Sequence, residues 1–153
     1  MAGISWQLEA IDGGLMQISH SRRVIDTNIL INHWRRMSQN ANWDQVTREI
    51  VHLWADRLIK MESSNLILTP IGIEFLCGFT YHLEMQFAKD FLLKFQFADG
   101  GEIRSEDWST ALSLAERIPK NQKRRQLGDC LIASICKRLR LLISTADINF
   151  PRS

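Results

Sequence analysis

The chain has 153 residues, 45% of them apolar and 24% charged, with a formal net charge of +2. That is enough for one domain around a single core, but no run is long and apolar enough to span a bilayer, and the amino terminus lacks the basic, apolar, small-residue order of a signal peptide. A soluble, cytoplasmic protein is expected, and its three cysteines (Cys77, Cys130 and Cys136) form no CxxC pair and read as reduced core thiols in apolar stretches.

In chain order, Ile4, Trp6 and Leu8 alternate with polar neighbours, Asp12-Gly13-Gly14 is a turn signal, and Leu15 to Ser19 can return, so residues 1–23 are expected to form a β-hairpin extension and its link. Residues 24–153 form the main domain. Val24-Ile25-Asp26 reads as the end of a buried strand, because a β-branched apolar run stops there at turn-forming Asp26-Thr27-Asn28. A helix is expected from Asn28 to about Met37. A second starts at Asn42, with Gln45 completing a capping box and Val46, Ile50, Leu53, Trp54, Leu58 and Met61 as its core stripe.

Leu66-Ile67-Leu68 is a second short buried strand, and Thr69-Pro70 a cap and first-turn proline for the helix that carries Glu74. Tyr81 to about Phe97 reads as a further buried helix, and the Asp99-Gly100-Gly101 turn leads to a third strand around Glu102–Arg104. Ser105 caps a helix to about Ile118, ended by Pro119. A basic loop, Lys120 to Arg125, opens onto a helix from about Gln126 to Arg140, and Leu141 to Ser144 is the last strand. Residues 117–140 hold eight Lys or Arg and one acid, Asp129.

Short strands alternating with helical hairpins imply an α/β fold with a mainly parallel sheet covered on both faces. In such sheets ligands bind beyond the carboxyl ends of the strands. Asp26 follows the first strand, Glu74 lies near the start of the helix after the second, Asp147 follows the last, and Asp129 lies near the start of the helix running into it. Each acid alone has an ordinary explanation: Asp26 as a helix cap, Glu74 and Asp129 as dipole-complementing acids, Asp147 as a turn former. Their joint convergence points instead to a cation site, since two carboxylates ~4 Å apart repel by about 4 kcal/mol at an effective dielectric near 20. Oxygen ligands of this kind suit Mg²⁺, with Mn²⁺ as the alternative. Asp56, Glu84 and Glu116 lie on amphipathic helices and read as solvated, and His20, His33, His52 and His82 share no metal-ligand spacing.

Four segments also carry a resemblance: Val24-Ile25-Asp26-Thr27-Asn28, Thr69 to Gly78 around Glu74, Leu127-Gly128-Asp129-Cys130-Leu131-Ile132-Ala133-Ser134, and Ser144-Thr145-Ala146-Asp147-Ile148-Asn149-Phe150. In this order and spacing they resemble the acidic motifs of PIN-domain ribonucleases, and the arrangement is most similar to VapC-type toxins of type II toxin-antitoxin pairs. The resemblance covers residues 24–150. It implies a three-layer α/β/α nuclease domain and a Mg²⁺- or Mn²⁺-dependent endoribonuclease that inhibits translation or growth by cutting tRNA, rRNA or mRNA to leave a 5′-phosphate and a 3′-hydroxyl. It also implies a cognate antitoxin and a homodimer. By position, Asp26, Glu74, Asp129 and Asp147 correspond to the catalytic, metal-binding acids, with Thr27, Asn28, Thr145 and Asn149 as supporting polar groups.

Asn149 stands where related sequences often carry a further acid, the sequence leaves no room for a final strand after this motif, and the hairpin is extra. The hairpin is expected to pack at or near the sheet edge so left uncovered, in its own chain or in a neighbouring subunit. Lys120, Lys123, Arg124 and Arg125 precede Asp129 and are expected to guide an RNA backbone, with a solvated basic loop as the alternative reading. A phosphohydrolase of the haloacid-dehalogenase type would need an acid at Asn28. The stronger rival is a catalytically inactive RNA- or protein-binding domain on the same fold.

Overall fold

The computed structural model describes residues 6–11, 15–20, 22–117 and 127–144, the first two segments as backbone only. Trp6–Ile11 (β1) and Leu15–His20 (β2) pair antiparallel, Trp6 opposite His20 and Ile11 opposite Leu15, as a two-stranded sheet of their own. The Asp12-Gly13-Gly14 turn lies outside the described residues.

The central sheet is built from Arg23–Ile25 (β3), Leu66–Ile67 (β4), Gln96–Phe97 (β5) and Leu142–Ser144 (β6), all parallel, in the order β5-β4-β3-β6. Neighbouring strand residues face opposite sides, and both Val24 and Ile25 are fully buried, so β3 is covered on both faces. The covering elements are Thr27–Ser38 (α1), Arg48–Glu62 (α2), Thr69–Cys77 (α3), His82–Leu92 (α4), Ser105–Glu116 (α5) and Leu127–Leu139 (α6), giving a three-layer α/β/α fold. The chain steps from β3 to β4 to β5 in one direction and then crosses to β6 on the other side of β3. Right-handed crossovers therefore put α1 to α4 on one face and α5 with α6 on the other. The order reverses between β3 and β6, which makes the crevice at their carboxyl ends the place where such sheets bind ligands.

Trp34 ties the first layer together. Its ring lies 5.3–5.9 Å from those of Trp43, Trp54 of α2, Phe75 of α3, Phe79 and Phe91 of α4, and its Nε1 donates to Glu84 Oε2 at 2.8 Å. Glu84, expected to be solvated, is thus part of the packing. The buried stripe of α2 is Val51, Trp54, Ala55 and Leu58, at the i, i+3, i+4, i+7 spacing of one helix face, each larger side chain contributing roughly 1.5–3 kcal/mol by burial. The wider stripe expected from sequence is corrected here, since Ile50, Leu53 and Met61 are exposed. Cys77 is exposed too, so only Cys130 and Cys136 are core thiols. From Cys130 to Cys136 every residue of α6 is buried, as a helix wedged between the sheet and its neighbours requires.

Several boundaries differ from expectation for local reasons. Asn42 makes a turn rather than a helix cap, its Oδ1 accepting from Asp44 N, and α2 starts only at Arg48, where the Thr47 hydroxyl accepts from Ile50 N. The third strand is Gln96–Phe97, ahead of the Asp99 turn and not at Glu102–Arg104; Gln96 N donates to Asn65 O and Ala98 N to Ile67 O. Ser105 is not the cap of α5: the N-cap is Arg104, whose backbone N–H donates to Asp107 Oδ2 at 2.9 Å.

Candidate active site

Asp26 sits where β3 hands over to α1. Its backbone N–H donates to Ser144 O at 3.0 Å, extending the β3–β6 pairing to the last residue before the turn and fixing Asp26 in the crevice of the switch point. The residue occupies the N-cap position of α1 with extended backbone, yet its side chain makes no capping hydrogen bond. The carboxylate, on a residue 3% exposed, is therefore not explained as a helix cap.

Thr27, the first residue of α1, is buried and donates its hydroxyl to Glu74 Oε2 at 3.2 Å across 47 residues of sequence. This meeting follows from the packing: Phe75 inserts into the Trp34 cluster, pinning α3 against α1 with Glu74 beside it. Glu74 is the sixth residue of α3, beyond the first turn, so complementing the helix dipole does not account for it. Its carboxyl is held above its ordinary value, first by burial and then by the negative charges of Asp129 and Asp26, with the Thr27 hydrogen bond opposing. The charges of the two aspartates thus both reach Glu74.

Asp129 lies in the first turn of α6, half-buried. The residue before it, Gly128, touches Glu74: a Cβ built there would land on Glu74 Oε1 and stand 3.2 Å from Cδ. Asp26, Glu74 and Asp129, from three distant parts of the chain, are in this way gathered at one sheet edge. Asn28 is exposed on the first turn of α1. Thr145, Asp147, Asn149, Lys120, Lys123, Arg124 and Arg125 lie outside the described residues.

Two features were not read from the sequence. Asp99, buried beyond β5 at the same edge, accepts from Thr69 N at 3.1 Å, from Thr69 Oγ1 at 2.9 Å and from Gly101 N at 3.4 Å. The amino end of α3 is therefore capped by a remote carboxylate, while Thr69 is a helical residue and Leu68 the N-cap; Pro70 does stand in the first turn. Cys136, expected from the sequence as a core thiol, is buried in α6, its thiol pushed up to about 12 by burial and by the charges of Asp26 and Asp99, which makes it inert. Gly128 is the second of the unread features. Its only sequence signal was a glycine placed inside a predicted helix, next to an acid.

The donor set of Asp26, Glu74 and Asp129 is all carboxylate oxygen, and its like charges oppose one another, which is the chemistry a hard divalent cation complements. Among the described residues, no group of three or more Asp, Glu, His or Cys side chains is close enough to hold an ion by itself. No helix among them is long and apolar enough to cross a membrane. Comparisons with curated proteins and with solved structures return no match. The family model for the PIN domain does match, over residues 23–153, nearly the whole chain apart from the hairpin and its link. With a parallel sheet whose switch point gathers acids that follow β3 and lie on α3 and α6, the chain belongs to the PIN domain family.

Proposed function

We propose that this chain is a Mg²⁺- or Mn²⁺-dependent endoribonuclease, the toxin of a type II toxin-antitoxin pair, with Asp26, Glu74, Asp129 and Asp147 as its metal-binding and catalytic acids. PIN domains are generally nucleases, usually cleave RNA and typically use divalent metal ions such as Mg²⁺. The observation that carries the reading is the place of the Glu74 carboxylate, bonded to Thr27 beside Asp26, packed on Gly128 beside Asp129, and held up by burial and by the charges of both aspartates, although neither Asp26 nor Glu74 has a local role that explains it.

A bound divalent cation would supply positive charge at the scissile phosphate and lower the pKa of the attacking water. Asp26 and Asp129 would be its main holders, with Glu74 adding a third carboxylate and Asp147 a fourth. Thr27 fixes the Glu74 carboxylate through its hydroxyl, so that Glu74 meets the site with one oxygen already oriented. Asn28, Thr145 and Asn149 are assigned as supporting polar groups around the acids, and Lys120, Lys123, Arg124 and Arg125 as the residues that draw an RNA backbone towards them. RNA is the substrate, an antitoxin the restraining partner and a homodimer the working assembly in this reading.

The test is cleavage of a mixed RNA pool by the purified chain with Mg²⁺, with Mn²⁺ and with EDTA. Cleavage only with the metals is expected. Cleavage undiminished by EDTA would overturn the metal mechanism, and no cleavage under any condition would favour the inactive RNA- or protein-binding domain. Co-expression with the product of a neighbouring small gene, if it relieves growth arrest and co-purifies, supports the toxin reading.

A further inference from the structure

We propose that Gly128 is a positioning residue: the side chain it lacks leaves the space in which the Glu74 carboxylate sits, and so decides where that carboxylate stands among the acids. The inference rests on the reading of Asp26, Glu74 and Asp129 as one metal-binding site and deepens it.

Gly128 has no conformational reason to be glycine. It lies in the first turn of α6, and the glycines with positive φ among the described residues are Gly100 and Gly101. In a helix, alanine is the better residue. What alanine would meet is Glu74: its Cβ would fall on Oε1, with Cδ at 3.2 Å and Oε2 at 3.9 Å. The other carboxylate oxygen is held from a different element, Oε2 accepting from the Thr27 hydroxyl at 3.2 Å. The carboxylate is thus clamped between a hydroxyl at the start of α1 and bare backbone at the start of α6, one residue from Asp129.

The nature of the obstacle decides the consequence. Glu74 meets Gly128 with the far end of a flexible side chain, so the fold can absorb an added methyl by letting that end swing away. The position of the carboxylate cannot survive the same move, because leaving Gly128 also strains the bond from Thr27. A glycine kept for packing would show its effect in stability; a glycine kept for positioning shows it in metal affinity.

The experiment compares wild type, Gly128→Ala, Glu74→Asp and the double variant, by thermal melting without metal and by calorimetric titration with Mn²⁺. Gly128→Ala is expected to melt within about 3 °C of wild type and to bind Mn²⁺ roughly tenfold or more weakly, as for loss of other groups that orient metal ligands. In the Glu74→Asp background, where the shorter side chain does not reach over α6, adding Gly128→Ala should cost no further affinity. Wild-type affinity in Gly128→Ala, or an equal loss in both backgrounds, overturns the inference. If Gly128→Ala fails to fold, Gly128→Ala with Glu74→Ala must fold, since the obstacle is gone; its failure also overturns the inference. A wild-type chain that takes up no Mn²⁺ instead sinks the metal reading itself, and this inference with it.

Discussion

Among the described residues a carboxylate from another helix meets each end of α6, Glu74 at the amino end and Asp107 at the carboxyl end, and the two charges are treated in opposite ways. At the carboxyl end Asp107 of α5, 1% exposed, accepts from Arg138 Nε at 2.8 Å and Nη2 at 3.0 Å, and from Arg104 N at 2.9 Å. Burial alone would raise its carboxyl, but these hydrogen bonds and the charges of Arg138 and Arg104 outweigh it and hold the group below its ordinary value. At the amino end half-buried Glu74 has desolvation and two like charges against one hydroxyl, and is held up. The first arrangement is a staple that fixes α6 to α5. The second is unfavourable as it stands, and in the proposed reading a bound cation would offset its charge. One helix therefore carries the anchor and the part that needs anchoring.

Breaking the anchor is expected to have the largest effect on the fold. Arg138→Ala strands Asp107 as a buried charge and should cost about 3–5 kcal/mol of unfolding free energy, out of the roughly 5–15 typical of a domain. Urea unfolding measures this. Replacing both partners, Asp107→Leu with Arg138→Met, should recover most of the loss, because buried pairs are often replaceable by apolar ones. A small loss in Arg138→Ala would show that the pair is not the anchor. Acid should act on the same contact: Asp107 has a depressed carboxyl, so its stabilisation is full above the ordinary value of 3.8 and lost as pH falls through the folded one.

The opposite end should respond the other way. Asp26→Asn and Asp129→Asn keep the shape of the side chain while removing charge from a repulsive cluster, so melting without metal should hold steady or rise slightly. Cleavage should fall at least roughly a hundredfold, since even groups that only orient metal ligands are worth about 10–100-fold. Clear destabilisation in both variants would return these acids to a structural role.

How far this contrast was legible in the sequence depends on the range of the contacts. β3, β4 and β6 announce themselves as short apolar runs ended by turn residues, and their order places Asp26, Glu74 and Asp129 at one edge before any side chain is seen. β5 does not, because Gln96 and Phe97 are both exposed and follow directly on a helical pattern. Local sequence points to Thr69 as the cap of α3, but the carboxylate that caps it, Asp99, comes from 30 residues away. Likewise the solvated reading of Glu84 failed on a Trp34 contact across 50 residues. Periodicity sees one face of one helix; it does not see what another element brings to that face. Gly128 belongs with these, since its reason lies in α3.

A third ionisable group sharpens the comparison, and its effect is expected to be the smallest. His33 of α1 is 1% exposed, and its Nε2–H donates to Trp54 O at 2.7 Å, which leaves Nδ1 as the acceptor of the neutral ring, buried and without a partner among the described residues. It has neither the counter-ion of Asp107 nor the like-charged company of Glu74. Burial, and then the charges of Arg36 and Arg57 against the help of the Trp54 carbonyl, hold it below its ordinary 6.5. The sign follows from proton counts: below 6.5 the unfolded chain binds a proton that the folded chain refuses, because burial penalises the charged ring and a protonated Nδ1 would be a buried donor with no acceptor among the described residues. Stability should thus be full above 6.5 and decline as pH falls towards the folded value. Urea unfolding at about pH 7.5 and about pH 5.5, on either side of the ordinary histidine value, should show this decline in wild type and a shallower one in His33→Gln, which keeps a donor for Trp54 O but does not titrate. Equal slopes in the two proteins would mean that His33 takes up its proton as readily in the fold as in the unfolded chain, and that the pocket around Trp34 is wetter than its burial indicates.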